Sequence, residues 1–259
     1  MGEAIISCLL QNQVFQPHQL VLSDLDPDRL GKLASKYGIH TCFGSYTDKT
    51  IPPVWQADTV LLAIKPQTFQ LDFTDSFPLQ LPQPSLVISI MAGITITQLE
   101  QIFPGRAVIR AMPNTPAQIG CGAIAFASSS NAQAEHCAVA TQIFEALGEV
   151  VEVNEAQINA ITGLSGSGPA FVAIAIEAMA DAGVAMGLAR ATALQLATQT
   201  FLGTATLIKQ TGLSPSLIKD QVASPGGTTI AGIRQLERLG FRTAMIEAVC
   251  AATDRASQL

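Results

Sequence analysis

Thr59-Val60-Leu61-Leu62-Ala63-Ile64-Lys65-Pro66 is a short apolar run that ends on a lysine and a proline. Six such residues are too few for a core helix and suit a buried strand, with proline closing it. The pattern recurs. Val21 to Ser23, Leu86 to Ile90, Ala107 to Arg110 and Gly122 to Phe126 are also short, apolar and followed by turn chemistry, and Val150 to Val153 reads as a final strand. Amphipathic stretches such as Asp28 to Tyr37 and Ala132 to Leu147 separate several of them. Strands alternating with helices predict an α/β fold with a Rossmann-like, doubly wound parallel sheet. After Glu155 the pattern changes. Ala, Leu, Ile and Met recur at helical spacing, and Gly183, Gly187, Gly212 and Gly240 read as helix ends. The expected domains are residues 1–153, a nucleotide-binding sheet domain, and 154–259, an all-helical domain.

A dinucleotide-binding unit starts with a strand, then G-x-G-x-x-G, then a helix. Here Met1-Gly2-Glu3-Ala4-Ile5-Ile6 opens at the last of these elements, with Gly2 in the place of the third glycine. The first strand and the first two glycines are missing from the chain as numbered. Two readings follow: a start placed roughly ten residues downstream of the true one, or a degenerate homologue that binds nucleotide weakly. Asp24 stands where the fingerprint expects a carboxylate for the ribose 2′-hydroxyl, although Asp24-Leu25-Asp26-Pro27 is also good turn sequence. Asp24 leans the cofactor towards NADH, whereas Ser23 offers a hydroxyl to a 2′-phosphate.

Ser224-Pro225-Gly226-Gly227-Thr228-Thr229 leads into the apolar segment from Ile230. Two glycines free the backbone, and a helix beginning there would present unpaired N–H groups and a positive dipole end. Such a turn suits a small carboxylate, or it simply caps a helix.

Composition bounds the alternatives. The 259 residues are 48% hydrophobic and only 13% charged, thin on charge for a monomer's surface, so apolar surface is expected to meet another copy of the chain. Fourteen scattered Lys and Arg against a net charge of −6 give no basic patch for nucleic acid. The longest apolar run, Pro169 to Ala180, carries Glu177 and is too short to span a bilayer. Five dispersed cysteines without C-x-x-C fit a reduced cytoplasm, and three dispersed histidines predict no metal site.

Taken in order, Ala63-Ile64-Lys65-Pro66-Gln67, Ser89 to Thr95, Arg110 to Pro116, Thr162 to Ala170 and Ser224 to Thr229 resemble the pyrroline-5-carboxylate reductase family over nearly the whole chain. The resemblance implies NADPH or NADH as cofactor and hydride transfer to the imine carbon of 1-pyrroline-5-carboxylate, giving L-proline. It also implies a helical domain that dimerises, often into larger rings. It implies cofactor contacts at Gly2, Ser23, Asp24, Ala63, Ile64, Lys65, Pro66, Met91, Ala92, Gly93, Pro113 and Asn114. On the substrate side it implies Glu155, Gln221, Ser224, Gly226, Gly227, Thr228 and Thr229, with Thr229 catalytic. A cofactor-contacting Asn of the family has no match in Tyr46 to Thr50. Related hydroxyacid dehydrogenases carry a catalytic lysine where this chain has Val172, which cannot donate a proton. A general imine reductase would not need a carboxylate pocket.

Overall fold

The computed structural model describes residues 1–43, 53–72 and 85–258. The stretch 46–50, which lacks the family's Asn, lies outside them. The chain forms two compact units, Met1–Gly166 with Ala252–Leu259, and Ser167–Ala251.

The first unit begins with helix α1 (Gly2–Gln11), strand β1 (Val21–Asp24), α2 (Pro27–Tyr37) and β2 (His40–Phe43). It continues through β3 (Thr59–Leu62), α3 (Pro66–Asp72), β4 (Leu86–Ser89), α4 (Ile96–Ile102) and β5 (Ala107–Met112). Strand β6 (Gly122–Ser128), α5 (Ala134–Glu145), β7 (Gly148–Glu152) and the single turn α6 (Ile158–Ile161) follow. Asp26 caps α2 by accepting from the N–H groups of Asp28 and Arg29, and Gly38 ends it at φ 67°. Those are the start and stop signals that local chemistry demands.

Strands β3, β4 and β5 run parallel and in register, so Leu62, Ser89 and Arg110 are level across the sheet. One face packs Ile88, Ile109 and Phe126 against Ile5, Cys8 and Leu9 of α1 and Phe144 of α5. The other packs Val87 and Val108 against Leu99 of α4, with Trp55 and Phe103. The Rossmann-like, doubly wound architecture is therefore borne out, with two departures. Strand β6 runs antiparallel to β5. Only the nine residues 113–121 join Met112 to Gly122. A parallel crossover needs a dozen or more, so the chain turns back instead. The second departure is that, among the described residues, β1 and β2 pair only with each other, apart from the five-stranded sheet β3-β4-β5-β6-β7.

The second unit is helical: α7 (Gly168–Ala185), α8 (Arg190–Thr211), α9 (Pro215–Val222), α10 (Thr228–Arg238) and α11 (Phe241–Ala256), whose last turn belongs to the first unit. Gly212 ends α8 at φ 67°, and Gly240 separates α10 from α11. Gly183, expected at a helix end, lies inside α7. A Cβ there would come within 3.0 Å of the Ala193 Cβ on α8, so its role is close helix approach. The core of α7 and α8 is small: Ala180, Ala193 and Ala197, backed by Ile176 and Val184. Ile174, Leu196, Leu202, Leu236, Phe241 and Ile246 stay exposed. So much uncovered apolar surface marks an interaction face.

Candidate active site

The residues expected to meet the nucleotide stand at the carboxyl ends of parallel strands, where open α/β sheets bind ligands. Asp24 ends β1, Ala63 to Pro66 follow β3, Met91 to Gly93 follow β4, and Pro113 with Asn114 follow β5. Gly2 opens α1, which no side chain caps, so the first N–H groups of this helix remain available to an anion. A Cβ on Gly2 would stand 3.3 Å from the Ala63 Cβ, which brings the start of α1 to the end of β3. Glu3 in the first turn of α1 would repel a phosphate, but Lys36 Nζ donates to its Oε1 at 3.0 Å and Tyr37 Oη at 3.3 Å. The Lys36 bond, the largest influence, holds Glu3 below the usual carboxylate range.

At the end of β1, Asp24 Oδ1 accepts from Asp26 N at 3.1 Å and Oδ2 faces Arg29 Nη1 at 3.7 Å. Asp24 is half-buried beside a half-buried Ser23 at the end of β1. Lys65 and Ala63 are exposed. Gly93 sits at φ 78°, a conformation that favours glycine, and turns the chain from β4 towards α4.

Three side chains do work inside the protein that their residue types did not announce. Met91 is 2% exposed and packs into the core behind the loop, while its N–H donates to Ser89 Oγ at 3.3 Å. Only its backbone is left to line a ligand. Asn114 is used on both ends: Oδ1 accepts from Ala123 N and Nδ2 donates to the Ser165 carbonyl, each at 3.0 Å. It ties β5 to β6 and to the widened helical turn Thr162–Gly166. Glu155 Oε1 accepts from Ile96 N at 2.7 Å and from Arg110 Nη1 at 3.0 Å. Arg110 carried no role in the sequence reading, although a lone arginine in the apolar strand Ala107–Met112 was the available signal. A buried charge needs a partner.

The substrate candidates other than Glu155 lie in the second unit. Gln221 is exposed on α9, and the loop after it turns at Gly226, φ 68°. Gly227 N donates to the Ser224 carbonyl at 3.1 Å. A Cβ on Gly227 would fall 2.2 Å from Ser224 Oγ, so the hydroxyl folds over a position that only glycine leaves open. Gly227 is the cap of α10 and no side chain satisfies the helix's first N–H groups. Elsewhere the hydroxyls of Thr162, Thr200, Thr204 and Thr211 bond the carbonyl four residues back. Thr229, in the first turn, has no helical carbonyl behind it to take its proton.

Among the described residues no cluster of His, Cys, Asp or Glu could hold a metal.

The sheet unit with its uncapped glycine helix and strand-end loops defines a nicotinamide-dependent oxidoreductase. A family model for pyrroline-5-carboxylate reductase dimerisation matches residues 155–259, and one for coenzyme F420-dependent NADP oxidoreductases matches residues 1–93. A Synechocystis pyrroline-5-carboxylate reductase is 44% identical over 259 residues, all of this chain and 94% of that protein. The Escherichia coli enzyme of that name is 36% identical, with the same coverage. The Coxiella burnetii structure of a pyrroline-5-carboxylate reductase superposes with a TM-score of 0.89 at 32% identity, covering 99% of this chain and 94% of that one. The Plasmodium falciparum structure, solved with NADP bound, gives 0.81 at 25% identity, covering 100% and 94%. The chain belongs to the pyrroline-5-carboxylate reductase family. It is a homo-oligomer-forming oxidoreductase that uses NAD(P)H.

Proposed function

We propose that the chain reduces the C=N bond of 1-pyrroline-5-carboxylate to give L-proline, the last step of proline biosynthesis, in the cytoplasm. The observation that carries the reading is the loop 224–229: an uncapped helix N-terminus, a positive-φ glycine and two hydroxyls on one turn. That set matches a substrate with one carboxylate and one ring nitrogen.

The residues present fit the cofactor. The start of α1 at Gly2 takes the pyrophosphate, Ser23 and Asp24 take the ribose, and Ala63 to Pro66, Met91 to Gly93, Pro113 and Asn114 border the nicotinamide end. When bound, the dihydronicotinamide supplies the hydride. The protein then has to orient and to place charge. The N–H groups of Gly226 and Thr228 hold the substrate carboxylate, helped by the Ser224 hydroxyl and by the Gln221 amide, while the Gly227 N–H, taken by the Ser224 carbonyl, fixes the turn. Thr229 Oγ hydrogen-bonds the ring nitrogen and stabilises the proton that makes the imine electrophilic.

The helical unit forms a homodimer or higher assembly. The stretch Glu155–Ala185 is long and apolar enough to cross a membrane by length and composition, with a mean hydropathy of 1.4. It also lies within the matched dimerisation segment, and a second copy is the partner we assign to it.

The test is Thr229→Val. Its kcat/KM with pyrroline-5-carboxylate should fall about 10²-fold, the effect of removing one aligned polar contact. An unchanged value would remove Thr229 from the mechanism. One observation favours a second reading, a weakly active homologue: β1 and β2 are not hydrogen-bonded to the larger sheet. Submicromolar NAD(P)H binding by titration calorimetry would refute it.

A further inference from the structure

We infer that Arg110 and Glu155 are positioning residues that lock the loop between β4 and α4 onto β5, at the nicotinamide end of the site. The inference rests on the reductase reading above and deepens it. Among the described residues Arg110 is the one charged side chain in the buried set, at 4% exposure. It stands on β5 two residues before the strand ends, flanked in register by Ser89 on β4 and Ala127 on β6. Its Nη1 donates to Glu155 Oε1 at 3.0 Å, and its Nε has no partner. The same carboxylate oxygen accepts the Ile96 N–H, the first of α4, at 2.7 Å.

One oxygen therefore joins three elements: β5, the start of α4 and the turn at 154–157. The loop between, Met91 to Thr95, is fixed at both ends. Ser89 Oγ takes the N–H of Met91, and Glu155 takes that of Ile96. A buried ion pair adds little net stability compared with apolar residues of the same size. What it adds is direction, because the N–H groups and the carboxylate must meet at set angles. A carboxylate engaged twice by its own protein is a poor candidate for touching substrate, so Glu155 serves the reaction through the loop. Small errors in placing reacting atoms cost rate steeply.

The test compares wild type with Glu155→Ala, Glu155→Gln and the double variant Arg110→Met/Glu155→Met. It measures kcat, the KM for pyrroline-5-carboxylate, the primary isotope effect with nicotinamide-deuterated cofactor, and deuterium uptake of the 91–99 segment. Glu155→Ala should lower kcat about 10-fold or more, leave KM within about twofold and raise the isotope effect. Uptake at 91–96 should rise. Glu155→Gln, which keeps an acceptor, should recover part of kcat. The double variant, which strands no charge, should melt near wild type yet keep the low kcat. A raised KM with unchanged kcat would make Glu155 a substrate contact and overturn the proposal. So would a melting change with no change in kcat, isotope effect or uptake. Wild type without any turnover would sink the reductase reading itself, and the uptake measurement, which needs no turnover, would still decide the pair.

Discussion

Gly227→Ala separates anion binding from helix capping at the 224–229 loop. Gly227 has φ −78° and ψ 176°, ordinary extended backbone that alanine adopts without strain. The new Cβ would lie 2.2 Å from Ser224 Oγ but 3.2 Å from the Ser224 carbonyl and 3.5 Å from its Cβ. Rotating the Ser224 side chain relieves the worst overlap, and the backbone contacts give by tenths of an ångström. The fold cost is then below about 1 kcal/mol, within the usual range for a surface change. The functional cost is different, because the hydroxyl leaves the anion. A hydrogen bond to a charged group contributes about 1.5–3 kcal/mol, or roughly 10- to 150-fold in kcat/KM at 1.4 kcal/mol per decade. The assay is steady-state oxidation of NAD(P)H with pyrroline-5-carboxylate, beside a thermal melt. Ser224→Ala alone should give a similar loss, and the double variant should add little to either, since both remove the same contact. A fully additive double variant would show that the methyl blocks substrate directly. Gly227→Ala with wild-type kcat/KM and wild-type Tm would refute the carboxylate clamp.

Gly148→Ala should be a fold defect instead. Its φ is 147°, and a Cβ would fall 2.1 Å from the Gly122 carbonyl oxygen and 2.5 Å from the Gly122 nitrogen, where β6 and β7 begin side by side. Backbone strain and overpacking together cost about 2–5 kcal/mol, so Tm should drop by roughly 5–15 °C, and a drop under about 2 °C would contradict that close approach. Asn114→Ala should lower Tm and leave the Kd for NADPH within about twofold, because it breaks the tie from Asn114 to Ala123 N and the Ser165 carbonyl. The opposite outcome by melt and calorimetry would make Asn114 a cofactor contact. Asp24→Ser should raise the NADPH-to-NADH ratio of kcat/KM by removing a carboxylate from the ribose site, and an unmoved ratio would remove Asp24 from cofactor choice. Lys36→Met should lower Tm slightly at pH 7. Glu3 titrates below its ordinary 4.5 when folded, mainly through the Lys36 bond, so this stabilisation is present above pH 4.5 and lost as pH falls through the lowered value. The gap between variant and wild type should close once pH falls below the lowered value, and a persistent gap would mean packing, not charge.

The sheet unit was legible because its strands are buried on both faces. Burial forces continuous apolar runs such as Leu86 to Ile90, and those stand out from any register. Strand β2 escaped because His40-Thr41-Cys42-Phe43 pairs on one side only and is mostly exposed, so nothing selected for an apolar pattern. The antiparallel turn of β6 escaped because periodicity reports burial and not direction. The length of the 113–121 connection held that information. In the helical unit the sequence shows why helices form but not what covers them. A mostly apolar helix such as α7 reads as buried, yet within one chain it buries only Ala180. The partner we propose, a second copy, is one that composition could suggest and spacing could not place. The candidate site divides the same way. Glycines that shape backbone, Gly93 and Gly226, announce themselves by type, because side chains rarely tolerate their positive φ. Polar side chains do not. Asn114 and Glu155 are the residue types a ligand would want, and in the fold both are held by protein groups, one by Ala123 and Ser165, the other by Ile96 and Arg110. A carboxylate or amide near a strand end is therefore ambiguous until its other hydrogen bonds are counted. At Glu155 that count, two bonds to its own protein, is what led us to propose a positioning role for it through the 91–95 loop.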